Sequence, residues 1–272
     1  MIYHPLGNGR RPGAPPTSGY LPIEEHGVVG DLRTVALVGT DGTVDWYCPA
    51  RFDAPSLFGA LLDDRKGGYF ALSSRSNTRP KQFYLPNTNI LLTRFHGVDA
   101  VGELIDFMVP QTSATSRGRD RLVRRARAVR GRATFELACH PAFDYGRAPH
   151  TVEVVTGVGA VFESSAGRFV LRTSVPLKIE ESGIAATFTL NEGEGMDIEL
   201  EWLGEVRPLV CSEVEELFTL TSDFWQGWVS QSRYRGRWRE TVQRSALALK
   251  LLVYHPTGAL VAAPTTSLPE EL

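Results

Sequence analysis

Thr34-Val35-Ala36-Leu37-Val38-Gly39-Thr40-Asp41-Gly42-Thr43-Val44-Asp45-Trp46-Tyr47-Cys48 decides the fold class. Two runs rich in β-branched and aromatic residues flank Asp41-Gly42, and a glycine there supplies the positive φ that a tight strand reversal demands. The stretch reads as a β-hairpin. The same grammar recurs downstream. Residues 89–95 and 101–108 flank His96-Gly97-Val98-Asp99. Residues 122–130 and 133–139 flank Gly131-Arg132 and are expected to pair in the same way. In the latter run Phe135, Leu137 and Cys139 alternate with Thr134, Glu136 and Ala138, which gives one apolar face. Residues 151–155, 160–163, 169–172, 185–190 and 197–202 continue the series. Short strands at this spacing predict an antiparallel β-sandwich over 19–210.

The pattern changes near residue 212. Ser212 with Glu215 has the spacing of a capping box. Val214, Leu217, Phe218, Thr221, Trp225 and Trp228 then follow a helical period. A second helical run covers about 237–254, with Trp238, Val242, Ala246, Leu249 and Val253 on one stripe. His255-Pro256-Thr257-Gly258 ends it, since proline cannot continue a helix. Two helices over 211–272 cannot enclose a core. They must pack on the β domain, on another chain, or on further residues.

The 272 residues are 42% apolar and 22% charged, an ordinary globular composition. The formal net charge of −2 argues against a dedicated nucleic-acid binder. No apolar stretch is long enough for a membrane helix, and the first residues carry no apolar leader. Residues 1–18, rich in Gly, Pro, Arg and Ser, read as a flexible tail. Cys48, Cys139 and Cys211 are odd in number and without metal-ligand spacing, so three reduced thiols in a cytoplasmic protein are expected. The six histidines lack a second ligand at short spacing, so no metal or cofactor is expected. Eight arginines lie between Arg117 and Arg132. They read either as a phosphate-binding patch or, as in Arg125-Ala126-Arg127-Ala128, as solvent-facing positions of a hairpin, and the acidic overall balance favours the second. The adjacent carboxylate pairs point apart on strand or helix and read as surface groups.

Five segments in order carry a resemblance. They are residues 20–39, from Tyr20-Leu21-Pro22 to Leu37-Val38-Gly39, and residues 41–58, with Trp46-Tyr47-Cys48-Pro49-Ala50-Arg51-Phe52-Asp53. Then come Tyr84-Leu85-Pro86-Asn87-Thr88-Asn89, Leu122-Val123-Arg124-Arg125 and Phe143-Asp144-Tyr145-Gly146-Arg147. Together they resemble the amino-terminal part of bacterial glycoside hydrolase family 15, the glucoamylase and trehalase-like group. The resemblance implies a β-sandwich placed before an (α/α)6 barrel. It also implies inverting hydrolysis of α-glucosides such as trehalose, maltose or isomaltose by two glutamates of the barrel. Residues 257–270 resemble the start of that barrel, and Leu272 precedes its Gly-rich Arg-Asp segment and both glutamates. The expectation is a fragment whose 211–272 part begins a truncated barrel, with no catalytic residue of its own. Trp46, Arg51, Phe52 and Asp53 are the candidate substrate-binding residues, an aromatic face for a sugar ring and charged groups for its hydroxyls. Against this stands an Arg51–Asp53 ion pair that merely holds the loop, with Trp46 in the core. A carbohydrate-binding module and a subunit that completes a separately encoded barrel are the competing functions.

Overall fold

The computed structural model describes residues 20–74, 79–112 and 120–265. The expected tail at 1–18, Arg117, Arg119 and the last residues of the 257–270 segment lie partly or wholly outside them.

Two antiparallel sheets make the β layer. The first contains β1 (His26–Gly30), β2 (Val35–Gly39), β3 (Thr43–Tyr47), β4 (Tyr69–Ser74), β9 (Ala133–His140), β14 (Gly183–Leu190) and β13 (Lys178–Glu180), hydrogen-bonded in that order. The second runs β10 (His150–Val155), β11 (Gly159–Ser164), β12 (Gly167–Thr173), β15 (Gly195–Trp202), β8 (Arg121–Arg130), β7 (Val101–Met108), β6 (Leu91–His96) and β5 (Arg79–Tyr84). The opening hairpin is present: β2 and β3 pair antiparallel with a bulge between Leu37 and Val38, and Gly42 takes φ 84° at the turn. The β6–β7 hairpin forms as read.

One expected hairpin does not form. β8 pairs with β7 and β15, whereas β9 pairs with β4 and β14 in the opposite sheet. Gly131, at φ 63°, therefore carries the chain from one sheet to the other. Strands adjacent in sequence and joined by a short turn need not be partners when each already has two better edges, and the sandwich uses this crossing as a corner.

The inner faces share one core. Val38, Phe70, Leu72, Phe135 and Leu137 of the first sheet meet Leu104, Leu122, Phe162, Phe169 and Leu200 of the second, all buried. Into this core β8 also sends Arg124, fully buried, whose Nε donates to Asp106 Oδ1 at 2.8 Å. Its other nitrogens donate to the Phe70 and Gly42 carbonyls of the first sheet at 2.7 and 2.6 Å, so one guanidinium ties the two sheets together. Arg121 is buried too, between Glu199, Glu201 and Glu213. Arg125 is held by Asp197 and Glu215. The expectation of solvent-facing arginines thus fails for these three, because their strand lies in the middle of its sheet with a helix over its outer face.

That helix is α2 (Cys211–Ser230), and it follows the short turn α1 (Phe143–Gly146) in the numbering. α2 lays Val214, Leu217 and Phe218 over Leu92, Ile105, Phe107 and Val123 of the second sheet. The capping box is absent: Ser212 lies inside the helix, the cap position is Val210, and no side chain caps it. Glu213 serves the helix start instead, paired with Arg121 and Arg207, where an acidic group also suits the helix dipole.

α3 (Arg239–Leu251) then turns back, and β16 (Val253–Tyr254) and β17 (Ala259–Leu260) form a small hairpin. The buried face of α3 is Gln243, Leu247 and Leu251. Of the expected stripe, Trp238, Val242 and Leu249 are exposed instead, and Ala246 and Val253 are half-buried. Together, α2 and α3 close a second core in which Trp225, Val229, Leu247 and Leu251 enclose Leu32, Val35 and Phe52. Of the options the sequence left open, the helices pack on the β domain. No helix among the described residues is long and apolar enough to cross a membrane.

Candidate functional site

The loop between β3 and residue 58 leaves the first sheet and returns to it. The Tyr47 N–H donates to the Phe58 carbonyl, and the Leu57 N–H donates to the Tyr47 carbonyl, both at 2.9 Å. The Thr34 hydroxyl donates to the Cys48 carbonyl. Ala50 sits at φ 71°, a left-handed conformation that a side chain adopts at some cost. A backbone held this way by its surroundings is a mark of a shaped loop.

The four candidate residues go three ways. Trp46 is buried on the outer face of the first sheet beside Leu37 and Cys48, with Ala54, Leu61 and Tyr145 packed around them. Phe52 points inward beneath the helices and meets Tyr254 edge-on, centroids 6.3 Å apart. Arg51 and Asp53 stay outside as a two-point ion pair, Nε to Oδ1 2.8 Å and the terminal nitrogen to Oδ2 2.6 Å. Their side chains are 57% and 62% exposed, so both remain open to a ligand. The Arg51 hydrogen bond holds the Asp53 carboxyl below its ordinary range. Burial pushes the Cys48 thiol up to about 12, so it is not a nucleophile at neutral pH.

A second motif from the sequence meets this loop. The Ala142 N–H donates to Leu57 O at 2.8 Å, and the Tyr145 N–H to Ser56 O at 3.3 Å. Asp144 and Tyr145 take left-handed φ of 53° and 56°, and Arg147 clips the turn by donating to Asp144 Oδ1 at 2.6 Å. Between the loop and the turn lies a cavity of about 220 Å³, with Pro49, Pro55, Phe143, Asp144 and Trp202 among its walls. Trp202 had no signal in the sequence, since it ends a strand far along the chain. Its indole lies over Gly167, where any Cβ would come within 2.3 Å of the ring. The cavity has one carboxylate among its walls, Asp144, so it holds no pair of facing acids. Among the described residues no three His, Cys, Asp or Glu side chains are grouped as for a metal ion.

The sequence profile described as "Trehalase-like, N-terminal" matches residues 17–198. The chain belongs to that family. Three relatives named trehalase align with this trehalase-like domain and the helices after it. The protein of Mycolicibacterium smegmatis is 35% identical over 276 residues, 92% of this chain and 41% of the relative. That of Mycobacterium tuberculosis is 32% identical, covering 92% and 40%. That of Thermoplasma volcanium is 31% identical, covering 93% and 41%. The chain thus spans about two fifths of the length of the relatives it matches. A solved putative kojibiose phosphorylase from human microbiome overlays 88% of this chain and 41% of its own, with a TM-score of 0.48 and 9% identity. At that level the overlay carries no argument.

Proposed function

We propose that this chain is the amino-terminal part of a family 15 α-glucoside hydrolase of the inverting, glucoamylase and trehalase-like group. In this reading residues 19–210 are the supporting β domain and 211–272 begin a helical catalytic barrel. The chain alone does not hydrolyse. The observation that carries this is the family match over 17–198 together with relatives named trehalase, of which the chain spans about two fifths. Inversion needs two carboxyls about 6.5–9.5 Å apart across the scissile bond. The cavity offers only Asp144, already engaged by Arg147. The three thiols are free and two are buried, which suits a reducing cytoplasmic setting.

Within an intact enzyme Arg51 and Asp53 are the groups of this domain best placed to meet a sugar hydroxyl, because they are exposed and pre-oriented by each other. Trp46 and Phe52 act from behind, the one stiffening the sheet and the other anchoring the loop. The reading of a subunit that completes a separate barrel has one observation in its favour. Trp238 and Leu249 of α3 are 62% and 55% exposed, and apolar side chains on one helix face mark a contact surface. The deciding experiment measures glucose released from trehalose, maltose and isomaltose by the purified 272-residue chain. No turnover is expected. Turnover that co-purifies with the chain through successive columns overturns the reading.

A further inference from the structure

We propose that the cavity between the 48–58 loop, the 142–147 turn and the end of β15 binds a single pyranose ring, with Trp202 as its stacking face and Asp144 as its hydroxyl acceptor. The exposed Arg51–Asp53 pair is not among the cavity walls. The inference rests on the hydrolase reading only for the choice of an α-glucosyl unit as the sugar.

Four segments distant in sequence build the cavity. Pro49 and Pro55 come from the loop, Phe143 and Asp144 from the turn after β9, Ala166 from the β11–β12 turn, and Trp202 from the end of β15. Hydrogen bonds set these pieces relative to one another. Besides the bonds from turn to loop, the Leu203 N–H donates to Arg168 O at 2.8 Å and pins the end of β15 to β12. The Ser164 hydroxyl donates to Pro149 O at 2.8 Å and ties the β11–β12 turn to the segment after Arg147. Ala50 and Asp144, both wall residues, keep their left-handed backbones within this frame. Strain kept at a cavity wall marks a preorganised site. Walls that are already ordered spare a ligand the cost of ordering them.

Size and lining select the ligand. The volume of about 220 Å³ lies below the roughly 300 Å³ at which pockets for drug-sized molecules begin, so it takes one ring rather than an oligosaccharide. Trp202 is half-buried, its ring 6.1 Å from that of Phe143 between centroids, and it keeps part of its surface for a ligand. Pro49, Pro55 and Phe143 extend this apolar wall. A pyranose has the matching make-up, an apolar face of C–H groups and a polar edge of hydroxyls.

Asp144 supplies the polar side. The Arg147 guanidinium holds it at two points, donating to its backbone O at 3.1 Å and to Oδ1 at 2.6 Å. Oδ2 takes no hydrogen bond among the described residues, and the side chain is 30% exposed. A carboxylate oxygen accepts and does not donate, so a hydroxyl is a fitting partner, and a hydrogen bond to a charged acceptor is among the stronger kinds. Ser56 is a second polar residue of the wall, its Oγ buried and without a partner. With one carboxylate the cavity binds a sugar and does not cleave it.

Titration of the 272-residue chain with methyl α-glucoside, followed by proton–nitrogen NMR of its five tryptophan indoles, tests the site. The signal that disappears in Trp202→Phe is expected to shift saturably, with a dissociation constant on the order of millimolar, while the others stay in place. Sorbitol, which has the hydroxyls without the ring face, is expected to leave that signal unmoved. Ala166 is exposed, so Ala166→Phe fills the cavity mouth without disturbing a core and should abolish binding at an unchanged urea midpoint. Asp144→Asn suits the left-handed backbone and should weaken binding about tenfold. An unmoved Trp202 signal, an equal shift with sorbitol, or full binding in both Ala166→Phe and Asp144→Asn overturns the proposal. Binding lost in Arg51→Ala but kept in Ala166→Phe assigns the sugar to the exposed pair and overturns it as well. Hydrolysis is read from released glucose and this site from an indole shift, so each reading can fail alone.

Discussion

At the scale of single residues, the buried charges do more to specify this fold than the exposed ones. Arg124 holds Asp106 and two carbonyls of the facing sheet at once, and its ring contact with Phe70, 4.8 Å from the centroid, completes its surroundings. Removing one partner of such a pair leaves a buried charge. Arg124→Ala is therefore expected to lose about 3–5 kcal/mol in urea unfolding, whereas Arg127→Ala, on an exposed position of the same strand, changes stability by no more than about 0.5 kcal/mol. Arg124 was legible in principle, because strand alternation sets it on the face of Leu122 and Ala126, which are core residues. Composition hid this, as a run of arginines reads as surface. His26 offers a second case at this scale. Burial pulls its pKa down, but the hydrogen bond and charge of Asp45, 2.8 Å away, and the Pro22 carbonyl raise it overall. A raised histidine stabilises fully below its unfolded value of 6.5, and the gain is lost as pH rises through the folded value. The stability difference between the wild type and His26→Gln should be largest below pH 6.5 and shrink above it, as read from urea midpoints across pH.

At the scale of elements, the strands were the readable part and their partners were not. Strand composition and the turn residues, Asp41-Gly42 and His96-Gly97-Val98-Asp99, located β2, β3, β6 and β7, since both signals are local. The crossing at Gly131 is a choice between sheets, and such a choice depends on residues such as Gly183–Leu190 that arrive far later in the chain. The helices show the same limit. The apolar stripe of α2 was right for Val214, Leu217 and Trp225, which are buried, the first two over the second sheet and Trp225 against Leu32, Val35 and Phe52. On α3 the more apolar stripe is exposed, and Gln243, Leu247 and Leu251 face the sandwich. Periodicity marks a hydrophobic face but not what covers it. Two substitutions on α2 separate its anchors from its bystanders. Trp225→Ala should cost about 3–5 kcal/mol, since it empties the site against Phe52, Leu247 and Leu251. Ser212→Ala should be nearly neutral, because Ser212 caps nothing, while Glu213→Ala should cost about 1–3 kcal/mol through the loss of its bonds to Arg121 and Arg207. Equal losses at Ser212 and Glu213 would restore the capping box.

At the scale of the whole molecule, the β domain closes its main apolar core between its two sheets, and the helical layer buries apolar side chains on one side only. The inner sides of α2 and α3 close over Leu32, Val35 and Phe52. The outer side shows Trp228, Trp238, Val242 and Leu249, with Lys250 over the Trp228 ring and Arg237 over that of Trp238. The Lys250 and Arg237 cations sit on these rings without covering them, so the face stays apolar and open. This asymmetry explains why the candidate site is only partly legible. Its aromatic anchors turn inward, and its polar pair Arg51 and Asp53 stays exposed. A face of this kind promotes association at concentrations where the rest of the surface does not. The double variant Trp238→Ser, Leu249→Ser should therefore raise the concentration at which light scattering detects oligomers. Its urea midpoint should move by no more than the scatter of ordinary surface substitutions, about 0.5 kcal/mol, because neither side chain contributes to the closed core. A large loss of stability would mean that this face is already covered within the chain, and the argument for a missing contact surface would go with it.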